Sequence, residues 1–179
     1  MREFLKIVAF CVLASIVYGI VHDQITIRVC PAYLTVFHPH IVNSASLTVI
    51  ALAWGVVATW WAGLISGVLI ALSARTGREP RLALSDLWQP MFCLLGSMAT
   101  AALVWGFFGH HVAVSTGGAY PYSPFTGMNS DEYPGLMTAW YAHTASYAVG
   151  FAGSLVLCVF NVVRRLRRGT RTFAAAGGA

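Results

Sequence analysis

Four separate runs of apolar residues constrain this chain more than any other feature. They extend from Phe4 to Val21, Leu47 to Ser73, Met91 to Val114 and Thr138 to Val163, and a helix needs about 20 such residues to cross a bilayer. Inside hydrocarbon every backbone N–H and C=O must be satisfied within the segment or by a closed sheet, so each run is expected to be a helix. The connections between them are short, and 179 residues leave no space for a separate soluble domain. The expected fold is therefore all-α, a single polytopic membrane domain forming a four-transmembrane-helix bundle. Composition agrees, with 58% of residues hydrophobic and 9% charged, far below the charge content of a soluble domain.

The few charges report orientation. Arg2 and Lys6 precede the first run, Arg75, Arg78 and Arg81 link the second to the third, and Arg164, Arg165, Arg167, Arg168 and Arg171 follow the fourth. The other two links carry a single basic residue, Arg28, between runs one and two, and no Lys or Arg, only Asp131 and Glu132, between runs three and four. Because basic residues are retained in the cytoplasm, both termini and the second link are expected inside. The net charge of +5 thus reads as a topology signal and not as a nucleic-acid surface, since no basic face interleaved with aromatics is present. A short basic start before an apolar run also describes a cleavable leader, with Val17-Tyr18-Gly19 as the cleavage site; retention as the first span is the reading adopted.

Small residues mark the faces on which membrane helices approach one another. The second run contains Gly63 and Gly67 with Gly55 and Thr59, and the fourth repeats Ala142, Ser146, Gly150, Ser154 and Cys158 every four residues. Both stripes are expected to pack on neighbouring helices. Trp60 and Trp61 fall mid-span, away from the interfacial belt that suits Trp140 and Tyr141, and are read as packing or lipid contacts, with the lining of a cofactor or substrate cavity as the alternative. Of the cysteines, Cys11, Cys93 and Cys158 lie inside apolar runs, while Cys30 is expected in a loop as an unpaired thiol.

All six histidines fall toward one side of the expected membrane. His22 and Asp23 end the first run, His38 and His40 flank Pro39 in the following link, His110 and His111 end the third run, and His143 lies one turn inside the fourth. Ionisable groups near hydrocarbon need partners. His143 lies beside the small stripe and is the leading candidate, with Tyr147 one turn later expected to reach its second nitrogen. Asp23 offers a carboxylate to a cation or to a histidine, with a solvated ion pair to Arg28 as the plainer alternative. Adjacent helical side chains diverge by about 100 degrees, so only one of His110 and His111 is expected to face the bundle, and the small residues Ala102 and Gly106 select His110. The segment from Ser115 to Pro134 is rich in turn formers and aromatics and is expected to lie as a lid or headgroup-level cap over this mouth.

Three classes of function follow. Imidazole and carboxylate suit a divalent or transition metal, with His22, Asp23, His38 and His143 as ligands and His110 as second choice. A b-type haem needs two facing imidazoles, from His143 with His22 or His110. A non-catalytic subunit or assembly factor of a larger membrane complex needs only hydrogen-bonded histidines. Phosphate-loop, dinucleotide and serine-hydrolase signatures are missing, so no catalytic residue is assigned and enzymatic activity stays open.

The segments Val21-His22-Asp23-Gln24-Ile25-Thr26, Phe37-His38-Pro39, Ala58-Thr59-Trp60-Trp61 and Ala142-His143 resemble those of a set of small bacterial multi-pass inner-membrane proteins. The resemblance spans most of the chain and implies a bacterial inner-membrane location. It carries no activity, and His110 and His111 lie outside its pattern.

Overall fold

The computed structural model describes residues 1–117 and 131–177, with side chains through residue 170. The regular elements within them are α1 (Arg2–Val29), α2 (Pro31–Thr35), α3 (Leu47–Arg75), α4 (Leu84–Ser115) and α5 (Tyr133–Gly177). Four of these, α1, α3, α4 and α5, are long and apolar enough to cross a membrane. Leu13, Val17, Phe107, Val156 and Val159 are each more than half exposed, the pattern of a bundle whose surroundings are apolar. The chain is thus an all-helical, four-helix membrane protein, as the four runs imply.

The helices outrun the apolar stretches that announce them. The first continues two turns beyond Val21 because polar residues there find partners: Arg28 folds back to donate to Gln24 Oε1 at 2.7 Å and reaches Thr48 Oγ1 at 3.3 Å, while the Cys30 N–H closes the last turn on the Thr26 carbonyl at 2.8 Å. The α4 start moves to Leu84, where Asp86 Oδ2 accepts from the Ala83 N–H at 3.0 Å. Capping carboxylates of this kind satisfy donors that a helix start leaves unpaired.

Packing divides the bundle into two tight pairs, α1 with α3 and α4 with α5, joined chiefly through α3 and α5. Glycine makes both pairs possible. A methyl added at Gly63 would meet the Cys11 carbonyl and Ser15 Cβ at 2.8 Å, and one at Gly109 would meet the Met137 carbonyl at 2.7 Å, so these helices approach backbone to backbone. The small stripe of α3 therefore packs on a helix as expected. That of α5 faces the other pair, where Ser154 Oγ donates to Ser66 Oγ at 3.3 Å.

Buried cores occupy the two ends of the bundle. At the end bearing the termini, Ile7, Cys11, Ile70, Leu82, Leu87, Met91 and Leu157 cluster, and Arg165 is buried with them at 4% exposure. Its guanidinium donates to the carbonyls of Ser73 at 2.8 Å, Pro80 at 3.0 Å and Glu79 at 3.1 Å, pinning α5 to the α3–α4 connection. Asp86 receives Arg168 at 2.7 Å and Arg164 at 3.2 Å. At the other end Ile27, Cys30, Tyr33, Leu34, Ala51, Leu136 and Ala139 form a second core. Cys30 is the non-helical, unpaired residue between α1 and α2, as expected, but the short helix α2 folds over it and leaves it 4% exposed. The expected lid or cap of residues 115–134 falls largely on 118–130, outside the described residues.

Candidate functional site

The histidine end of the bundle gathers three of the four expected site residues around one imidazole. His143 Nε2 lies 3.2 Å from Asp23 Oδ1, and His143 Nδ1 lies 3.2 Å from His22 Nε2 and 2.9 Å from the Ala139 carbonyl. The extension of α1 by two turns creates this contact, since it carries His22 and Asp23 along a helix face and not into a solvated link. Asp23 is 5% exposed. It pairs with His143, and Arg28 turns to Gln24 and Thr48 instead, so the Asp23–Arg28 ion pair does not form. Tyr147 does not bond His143 either; both ring nitrogens are already occupied, and Tyr147 stands beside them as a half-exposed neighbour.

Hydrogen-bond chemistry fixes where the protons lie. A carbonyl and a carboxylate only accept, so His143 must present N–H groups to both Ala139 and Asp23, or Asp23 must itself carry the second proton. Either distribution leaves the Asp23–His143 pair net neutral, the form that burial tolerates. His22 Nε2 then accepts from the His143 Nδ1–H, shared with the carbonyl, and keeps its own proton on Nδ1.

His38 belongs to the same neighbourhood through an intermediary. Its Nδ1 donates to the Tyr33 carbonyl at 2.6 Å, and its ring packs against Tyr33 and Trp54 with centroids 4.9 and 5.0 Å apart. Tyr33 in turn covers His143, centroid to centroid 4.7 Å. The helix α2 is therefore a plug whose Tyr33, 4% exposed, closes the end of the bundle over the His/Asp cluster and is held there by His38. Burial raises the Tyr33 phenol above its usual pKa, with Tyr147, Asp23 and Cys30 adding to the effect. Its preceding neighbour Cys30 is likewise raised by burial. His40 is exposed. His110 contacts α5, 3.3 Å from Thr138 Oγ1, but remains exposed and apart from the cluster.

Beneath the cluster lies a cavity of about 660 Å³ between the two helix pairs, open on one side. Its head is formed by Tyr18, His22, Asp23, His143, Ser146 and Tyr147, with Tyr18 Oη and Ser146 Oγ bonded at 2.8 Å. The body is apolar, lined among others by Phe10, Ala14, Trp61, Ala62, Ile65, Leu94, Met98 and Phe151. Tyr18 and Ser146 had no special standing in the sequence; a hydroxyl pair one turn inward from a His/Asp pair on facing helices is the signal that locates them. Trp61 lines the cavity and Trp60 is exposed on the lipid face.

Asp23 and His22 address opposite nitrogens of the His143 ring, which points them to different sides of it. Among the described residues no group of three or more His, Cys, Asp or Glu side chains is arranged to hold one metal ion. His22 and His143 touch directly, ring centroids 4.3 Å apart, so a porphyrin between them would require the rings to part. Comparison with models of protein families, with curated proteins and with solved structures gave no match to this chain.

Proposed function

We propose that this protein binds an amphiphilic molecule dissolved in the membrane, with the ligand's polar head at the His22–Asp23–His143 cluster and its apolar part in the cavity below. The observation that carries the reading is the cavity itself, whose 660 Å³ falls within the roughly 300–1,000 Å³ range of sites for small organic ligands, mostly apolar with a few converging polar groups. A packed interior has no voids of this size, and the plug formed by α2 supports entry from the bilayer over entry from the aqueous side. The setting proposed is a bacterial inner membrane with both termini cytoplasmic, supported by the Arg and Lys residues at the end opposite the histidines.

The test is organic extraction and mass spectrometry of detergent-purified protein, wild type against Ala62→Phe, which places a ring in the cavity. One class of lipid-soluble compound, near-stoichiometric in wild type and depleted in the variant, is the expected result. Identical extracts would overturn the reading. A second reading, a transition metal bound by His22, Asp23, His38 and His143, is favoured by the meeting of three of these on one imidazole; it requires the side chains to turn toward a common centre. Elemental analysis and the absorption spectrum of the same preparation decide it, together with the haem alternative: near-stoichiometric metal lost in His143→Ala supports a metal site, and a Soret band supports haem. A subunit role in a larger complex would leave all three measurements blank.

A further inference from the structure

The sign of charge around the cavity narrows the ligand class. No Lys or Arg lines the cavity, and Asp23 is the single carboxyl group that does. At this end Arg28 is turned away to Gln24 and Thr48, and at the opposite end Arg164 and Arg168 are held by Asp86 and Arg165 by backbone carbonyls. Asp23 uses Oδ1 for His143, and among the described residues Oδ2 has no hydrogen-bond partner. With Oδ1 on His143, the unengaged Oδ2 of the 95% buried Asp23 is the negative end of a neutral pair, placed beside an apolar void where water screens it poorly.

Aromatic faces surround that void: Tyr18, Phe10, Trp61 and Phe151 all line it. Aromatic rings attract cations through their quadrupoles, most strongly where the cation is desolvated. A small hydrated ion is a poor occupant, because Tyr33 closes the end of the bundle over His143 and most of the wall hydroxyls are already engaged, Tyr18 with Ser146, Ser154 with Ser66 and Thr59 with the Gly55 carbonyl. An anionic head would meet the unengaged Asp23 oxygen with no Lys or Arg in the wall to offset it.

We propose that the cavity takes a lipophilic organic cation, its positive centre beside Asp23 and its apolar groups against the aromatic wall. This rests on the amphiphile reading and adds the charge of the ligand to it.

Tetraphenylphosphonium and tetraphenylborate have the same shape and opposite charge, so their comparison isolates the sign. Equilibrium dialysis of the full chain in detergent is expected to show saturable phosphonium binding, one per chain, and no saturable borate binding. The neutral dye N-phenyl-1-naphthylamine measures the apolar cavity independently of charge. Asp23→Asn is expected to weaken phosphonium binding about tenfold or more, the equivalent of one charge contact, while dye binding persists. Should Asp23→Asn lose dye binding as well, Asp23→Glu supplies the comparison, and it must retain the phosphonium. Borate binding as tight as phosphonium, or phosphonium binding indifferent to Asp23→Asn, overturns the cation proposal and leaves the amphiphile reading standing. No saturable binding of any of the three probes overturns both.

Discussion

The Asp23–His143 contact is the one most open to quantitative test, because it joins α1 to α5 where few other contacts do. The two side chains are 7% and 14% exposed and meet at 3.2 Å. Interhelical side-chain hydrogen bonds in membranes average about 0.6 kcal/mol in double-mutant cycles and reach about 1.7. Charge sharing between imidazole and carboxylate roughly doubles a neutral bond, so the coupling expected here is about 1–2 kcal/mol. The single variants should differ. Asp23→Ala leaves one buried nitrogen unpaired, at about 1–3 kcal/mol. His143→Ala strands the Asp23 carboxyl and also removes the contacts to His22 and the Ala139 carbonyl, so about 3–5 kcal/mol is expected. The double variant should be less destabilised than the sum of the two, since removing both members of a buried pair relieves the stranded group. Reversible unfolding in mixed micelles of a mild detergent and dodecyl sulfate, followed by circular dichroism, measures all four proteins. Strict additivity, or an Asp23→Ala cost exceeding that of His143→Ala, would refute the assignment of His143 as the centre of the cluster.

Three further outcomes are expected. Arg165→Lys keeps the charge but cannot serve three carbonyls from a planar fork, and should cost about 2 kcal/mol, whereas Arg167→Lys at an exposed position should change stability by less than about 0.5 kcal/mol; equal effects in the unfolding assay would remove Arg165 as the pin of α5. Gly63→Leu should cost about 3 kcal/mol or more, because its Cβ alone would meet the Cys11 carbonyl and Ser15 Cβ at 2.8 Å, atoms that a rotamer change does not clear, while Gly96→Leu, with open space around it, serves as the neutral control. The Tyr33 phenol, raised in the folded protein, contributes stability fully present below its unfolded pKa of about 10 and lost as pH rises above that. Tyr33→Phe should therefore lose less stability than wild type between about pH 9 and pH 11, and equal losses would show that Tyr33 ionises without regard to folding.

Much of the architecture was legible because apolar length and glycine position are local signals. Four runs produced four spanning helices, and Gly55, Gly63 and Gly67 correctly marked a face that meets another helix. Helix ends were less legible. Val21-His22-Asp23 looks like the end of a span by hydropathy, yet the backbone stays helical to Val29, since Asp23 has an interhelical partner that no window along one strand of sequence can reveal. For the same reason Asp23 was weighed against Arg28, five residues away, when its partner lies 120 residues distant. The burial of Cys30 and Arg165 was not legible: both sit at the margin of a span, where burial depends on what folds over them. The candidate residues His22, Asp23 and His143 were found by composition alone; that His38 acts on them through Tyr33, and that Tyr18 and Ser146 continue the polar head into the cavity, depends on packing.

The same residue types produce opposite results in the two halves of α3, and this explains why a cavity persists. On one face, Gly55, Gly63 and Gly67 let α1 approach until backbones touch. On another, Ala58 and Ala62 border the void together with Ser146 and Gly150 of α5, and Ser66 alone of these reaches across, to Ser154. Small facing residues would normally draw two helices together, and an unfilled void forfeits dispersion contacts along its whole lining. Closure is opposed at both ends. Arg165 and the core around Leu82 and Leu87 fix the spacing at one end, and the Tyr33 plug with Leu136 and Ala139 fixes it at the other. A bundle wedged apart in this way would regain dispersion contacts on admitting an apolar group, and on the amphiphile proposal the His/Asp cluster at the cavity's head would select the polar end that comes with it.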